Sequence, residues 1–185
     1  LCRRIRASIL IAGPILARAG AVRLPPPGGD VIGRRRLDTH ILALRALGAK
    51  VTYDRVFEIE TEGLHGANIL LDEASVTATE NAVMAAVLAK GDTQIRNAAS
   101  EPHVQEVCQF LNILGAKIKG IGSNTLQISG VSHLKGGEFT IGPDLLEVVS
   151  YIGAAVVTHG EVRIRNAGVQ HLEMVGQVFH RLGVH

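Results

Sequence analysis

"IRNAASEPHVQEVCQFLNILGAKI", residues 95–118, contains a strand signal, a helix and the start of another strand, and pieces of it occur elsewhere in the chain. The tetrapeptide at 95–98 returns at 164–167. "LGAK" at 114–117 has an earlier copy at 47–50, so a unit of about 70 residues recurs. Inside the quoted stretch, Val104, Val107, Phe110, Leu111 and Leu114 are spaced by three and four, which predicts an amphipathic helix, with Gly115 placed to end it in a left-handed turn. "KIKGIGSNTLQISG" (117–130) and "GGEFTIG" (136–142) then alternate apolar and polar residues, and strands divided by Gly and Asn turns are predicted there.

The same order extends outward. "VTATENAVMAAVLAKG" (76–91) and "LLEVVSYIGAAVVTHG" (145–160) are apolar, Ala-rich segments that end in glycine and run into a β-branched strand signal. "LCRRIRASILIAGPILARAG" (1–20) mimics a secretory leader, with a basic start, an apolar middle and small residues near its end. Its likeness to the two later segments makes it a core helix of the first repeat instead. Each unit reads helix, short strand, helix, two strands. The class is therefore mixed α/β (α+β), built from repeated units with two helices and a small sheet each. Units this long suit a few copies around a shared core rather than a stacked solenoid.

Composition narrows the function. The 185 residues are 46% hydrophobic, 19% charged and 3% aromatic, with a net charge of +2. That favours a core of Ile, Leu, Val and Ala. It disfavours a nucleic-acid surface, which needs more positive charge and more rings for stacking. No run reaches the eighteen apolar residues of a membrane span. The two cysteines, Cys2 and Cys108, have neither ligand nor redox spacing, and a reducing, cytoplasmic setting is expected. The eight histidines lack metal-site spacing, so neither a metal nor another cofactor is expected.

Three stretches can carry chemistry. "PPPGGDVIGRRR" (25–36) joins a strand to the helix "LDTHILALRALGA" (37–49). Its prolines and glycines shape an exposed loop that a ligand can approach closely. Arg34, Arg35 and Arg36 stand at the helix entrance, with Asp38 as the N-cap, an arrangement suited to phosphate; a solvated turn with surface arginines is the alternative. Asp30 is the loop's acid, and nearby arginines should lower its pKa, which suits an ion pair better than a proton donor. In "LDEASVTATENAV" (71–83), Ser75 or Thr77 can cap the Ala-rich helix. Asp144 and Glu147 form the acidic first turn of another.

In order along nearly the whole chain, "IRASILIAGPILAR" (5–18), "LPPPGGDVIGRRRLDTHILALRALGA" (24–49), "LLDEASVTATENAVMAA" (70–86), the stretch quoted first and "GPDLLEVVSYIGAA" (142–155) resemble the enolpyruvyl transferases, most closely the branch acting on UDP-N-acetylglucosamine. The resemblance implies an inverted α/β fold of two domains. Residues 1–142 would fall in the first and 143–185 would begin the continuation into the second. It implies metal-free transfer of the enolpyruvyl group of phosphoenolpyruvate to the 3-hydroxyl of UDP-N-acetylglucosamine, the entry to peptidoglycan synthesis, with roles in cell shape and division.

By position, Asp30 would be the proton donor where most members carry a cysteine that fosfomycin alkylates, so the drug would be resisted. Arg6 would lie near the substrates. Arg35, Arg36, Leu37, Asp38, Thr39 and His40 would line the UDP-sugar, as would Glu73, Ala74, Ser75 and Val76; Asp144 and Glu147 would be acids of the cleft. The chain departs from the family at Glu73, often Lys, at Thr77, often Gly, and at Arg36, often Pro. Family residues expected outside these segments have no counterpart, so the chain alone is expected to lack turnover. The same fold could instead serve a non-catalytic UDP-sugar-binding or regulatory module, or an enzyme using shikimate 3-phosphate. An RNA-end-processing relative fits the charge and aromatic content less well.

Overall fold

The computed structural model describes residues 2–29, 33 and 36–184, and the chain divides into two compact units, 1–139 and 140–185. In the first, two 3₁₀ turns (Cys2–Arg4 and Arg6–Ile11) lead into α1 (Ala12–Ala19), β1 (Ala21–Leu24), α2 (Asp38–Ala46), β2 (Lys50–Tyr53) and β3 (Phe57–Glu60). Then come β4 (Asn68–Leu70), α3 (Val76–Ala86), β5 (Asp92–Arg96), α4 (Pro102–Ile113), β6 (Lys117–Lys119) and β7 (Thr125–Ser129).

The repeat survives at the level of strand register. One sheet runs β1-β3-β2 and the other β4-β5-β7-β6. In the first, Ile59 pairs with both Val22 and Val51; in the second, Ile128 pairs with both Thr93 and Ile118, again in antiparallel ladders. Strand burial alternates along β1, β5 and β7, so each sheet has an inner and an outer face; the first sheet is antiparallel throughout, and in the second β4 runs parallel to β5. Ile59, Ile69, Ile95, Leu126 and Ile128 point inward onto the helices.

Helix α3 packs against α1, α2 and α4, and from Ala78 to Val83 every residue is buried. Its alanines let the neighbouring helices approach closely, and the buried polar residues Thr79, Glu80 and Asn81 lie within that crowded stretch. The N-terminal stretch is a core element, as the repeat predicted: Ala12 and Leu16 are fully buried, and Gly20 ends α1 in a left-handed conformation. Of the aromatic pairs, Tyr53–Phe57 meets the edge of the aliphatic core through Phe57, and Phe110–Phe139 lies outside it.

Three local expectations are corrected. The buried stripe of α4 is Val104, Cys108 and Leu111, while Phe110 sits at the rim against Phe139. "GGEFTIG" forms no strand: its residues are mostly exposed and it joins neither sheet. The strand signal after Gly160 is likewise irregular.

That second failure has a physical cause in the smaller unit. It comprises α5 (Leu145–Val157), a 3₁₀ turn (Val169–His171) and α6 (Glu173–Arg181). It offers no partner strand among its described residues, so an extended segment there has no ladder to join. The recurring "IRNA" does keep one shared feature: Asn97 and Asn166 both adopt a left-handed backbone, with φ of 56° and 55°. Asparagine tolerates that region best among non-glycine residues, and the Asn97 amide also donates to the Leu71 carbonyl at 3.0 Å.

Candidate functional site

The loop after β1 is laid against the first turns of the chain by its glycines. Gly28 N–H donates to the Cys2 carbonyl at 3.1 Å, and a Cβ on Gly28 would overlap the Arg3 carbonyl oxygen. Gly29, at φ +99°, passes over Arg6. Arg6 Nη2 in turn donates to the Arg36 carbonyl at 3.2 Å, so Arg6 touches the far end of the same loop. Asp30, Arg34 and Arg35, the residues on which the sequence reading leaned most, lie outside the described residues.

At the entrance of α2, Asp38 is the first helical residue and not the cap. Leu37 occupies the cap position without a side-chain hydrogen bond, and the Asp38 carboxylate instead pairs with Arg36 Nε. Both members of that pair are exposed, so it adds little stability. Thr39 is buried and donates its hydroxyl to Asp72 Oδ1 at 2.7 Å, which ties α2 to the turn before α3. That turn contains Glu73 and Ala74, both exposed. Ser75 does cap α3, accepting from Ala78 N–H at 3.4 Å, while Val76 is half-buried. Thr79 then links α3 to the loop between β5 and α4, accepting from Ala99 N–H at 3.0 Å.

Behind these groups lies a polar junction that sequence reading missed. Asn81 Oδ1 accepts from Gly13 N–H at 2.6 Å, and its Nδ2 donates to the Ile9 carbonyl at 3.1 Å. These two backbone groups fix the amide orientation. Its second N–H therefore faces His40 Nδ1, 3.2 Å away, so Nδ1 accepts and the proton of the neutral ring resides on Nε2. Nε2 is 3.2 Å from Thr77 Oγ1. The available signal was an asparagine inside an Ala-rich helix, four residues after Thr77, where its propensity is unfavourable without a specific partner.

Burial, and secondarily the Arg6 charge, pushes the His40 pKa down from 6.5 to about 4. Protonation would also place an N–H against the Asn81 amino group. The unfolded chain thus binds the extra proton first. The stabilisation is complete above pH 6.5 and is lost as the pH falls toward 4, a change of about 3 kcal/mol. Glu80, raised by burial, titrates with the opposite sign. The His40 contribution is therefore read from the difference between urea unfolding of the wild type and of His40→Gln across this range, which should shrink as the pH falls.

The structure brings Arg6, Arg36, Leu37, Asp38, Thr39 and His40 together with the Ser75 end of α3 inside one unit. Asp144 and Glu147 belong to the other unit. There Asp144 caps α5, accepting from Leu146 and Glu147 N–H at 2.9 and 3.3 Å. A hollow of about 680 Å³ over the second sheet, beside Gln94, Lys119 and Gln127, shares no residue with this set. Cys108 is buried with its thiol pushed up to about 11, which makes it a poor nucleophile. Among the described residues no cluster of His, Cys, Asp or Glu could hold a metal ion, and no helix is long and apolar enough to cross a membrane.

Two helix starts, an arginine linking both ends of a glycine loop and a neutral buried histidine behind them form a surface suited to an anionic ligand. The class follows from comparison: the family described as EPSP synthase (3-phosphoshikimate 1-carboxyvinyltransferase) matches residues 1–185, and the chain belongs to it. Solved structures agree on the fold. The enolpyruvyl transferase NikO from Streptomyces tendae superposes with a TM-score of 0.59 at 21% identity, over 76% of this chain and 34% of that one. EPSP synthase from Acinetobacter baumannii gives 0.60 at 21%, over 81% and 34%.

Sequence relatives carry a more particular name. UDP-N-acetylglucosamine 1-carboxyvinyltransferase from Bradyrhizobium diazoefficiens is 60% identical over 100% of this chain, and its counterpart from Treponema pallidum is 59% identical over 98%. The chain spans 43% of the length of each.

Proposed function

We propose that this chain forms the UDP-sugar side of a UDP-N-acetylglucosamine 1-carboxyvinyltransferase, within a polypeptide of its relatives' length. Residues 1–142 contribute to one domain and 143–185 to the other. The observation that carries this reading is the near 60% identity, along the whole chain, to relatives of that one name. The clustering of Arg6, residues 36–40 and the start of α3 supports it, because a nucleotide sugar brings a diphosphate that guanidinium forks and free helix amides can hold.

The substrates are UDP-N-acetylglucosamine and phosphoenolpyruvate. Asp30 gives a proton to C3 of phosphoenolpyruvate, the sugar 3-hydroxyl adds at C2 and loses its proton, and the C2–O bond to phosphate then breaks while C3 returns a proton. The products are the enolpyruvyl ether and inorganic phosphate. The setting is cytoplasmic, with no nucleic-acid or membrane partner, and the product enters peptidoglycan synthesis, on which cell shape and division depend. An aspartate at position 30 cannot form the thioether that fosfomycin makes with cysteine, so the enzyme resists the drug.

Arg35 tests the ligand assignment. Titration calorimetry with UDP-N-acetylglucosamine should show Arg35→Ala weakening binding about tenfold or more, the loss of a charge-assisted contact to phosphate or sugar. An unchanged affinity would remove Arg35 from the site.

A further inference from the structure

We infer that His40 and Asn81 are positioning residues which hold Thr77 so that its hydroxyl takes a hydrogen bond from inside the protein and gives one to an anionic oxygen of the ligand. The inference rests on the ligand assignment proposed above and assigns a group at Thr77, where glycine is common in the family it resembles.

The backbone sets the orientation of every group in the relay. Gly13 N–H and the Ile9 carbonyl leave Asn81 one amide orientation, at 2.6 and 3.1 Å. A reversed amide would set donor against donor and acceptor against acceptor. Gly13 is required for that approach, since a Cβ there would overlap the Asn81 carbonyl oxygen. The oriented amide presents N–H to His40 Nδ1, and His40, 4% exposed, therefore presents Nε2–H to Thr77 Oγ1.

A threonine hydroxyl has one donor and can accept through its lone pairs. With the inward contact filled by Nε2–H, the Thr77 proton is directed elsewhere, and among the described residues it meets no acceptor. Thr77 is half-buried and precedes the enclosed part of α3 by one residue. Arg6 lies close enough to act electrostatically on the same imidazole. A hydroxyl whose proton is left to donate away from the histidine, in a cluster with an arginine, suits an acceptor-only ligand atom such as a phosphate oxygen.

Two measurements on a transferase of the relatives' length carrying this segment test this. Long-range ¹H–¹⁵N correlation of the His40 ring at neutral pH should show the Nε2–H tautomer; an Nδ1–H tautomer or an imidazolium would overturn the relay. Titration with UDP-N-acetylglucosamine should show Thr77→Val binding about tenfold more weakly and Thr77→Ser within about twofold of wild type. Uridine, which lacks phosphate, should bind all three alike.

Thermal unfolding of each variant identifies one that has failed to fold, in which case Thr77→Gly takes the place of Thr77→Val. If the wild-type transferase binds the UDP-sugar and the variant lacking the hydroxyl binds it equally well, this inference fails while the proposed function stands. If the wild-type transferase does not bind it, both fail.

Discussion

Asn81→Leu should destabilise the protein by about 3 kcal/mol, the largest stability loss expected from a single polar side chain in this fold. The replacement keeps the branching at Cγ and removes no heavy atom, so little of the loss comes from a cavity. It comes from Gly13 N–H and His40 Nδ1, buried groups left without partners, and from the Ile9 carbonyl, which loses one of its contacts. Gly13 N–H belongs to the first turn of α1, where no carbonyl of the same helix is available, so the asparagine is its cap from across the core. Urea unfolding should show a lower midpoint with an unchanged slope. A loss under about 0.5 kcal/mol, the scale of an ordinary surface substitution, would mean that the junction is not formed.

The largest effect on activity is expected at Asp30. In a transferase of the relatives' length carrying this segment, Asp30→Asn should reduce kcat by about 10² to 10⁴, the range supplied by a positioned general acid. The difficulty for a carboxylate here is electrostatic. Arg34, Arg35 and Arg36 follow within a few residues, and cations lower a carboxyl pKa and weaken it as an acid. Bound phosphates would neutralise those charges and exclude water, so that Asp30 could hold its proton in the ligand-filled cleft. Asp30→Cys should retain part of the turnover and become sensitive to fosfomycin. A cysteine variant that is active and fully resistant would contradict the assignment.

Much of the architecture was legible because the chain repeats itself. Helices at 76–86 and 102–113 and the strands around Ile95 and Ile128 follow from periodicity, and the twofold pairing of Ile59 and Ile128 shows why the pattern recurs. What periodicity could not reveal was pairing. "GGEFTIG" and the segment after Gly160 alternate well enough for strands yet have no ladder to join. The caps split similarly. Ser75 has the extended backbone that a cap requires, whereas Asp38 is already helical and its carboxylate is taken by Arg36.

The site was legible as ordered segments but not as a network. Residues 36–40 and 73–76 were singled out by the family resemblance, and the fold does bring the start of α2 to the start of α3. Yet the group joining them is Asn81, whose partners Ile9, Gly13 and His40 are remote in sequence. The resemblance implied that His40 lines the ligand; in the fold it is buried between Asn81 and Thr77, and burial holds its pKa down at about 4.

The central claim is the acceptor, since the family description refers to 3-phosphoshikimate while the sequence relatives refer to UDP-N-acetylglucosamine. The direct measurement is phosphate release from phosphoenolpyruvate by the Bradyrhizobium relative with this segment grafted in place of its own, assayed with each acceptor. Turnover with UDP-N-acetylglucosamine and none with shikimate 3-phosphate is the expected result. Turnover with shikimate 3-phosphate, or none with the UDP-sugar from a folded chimera, would contradict it.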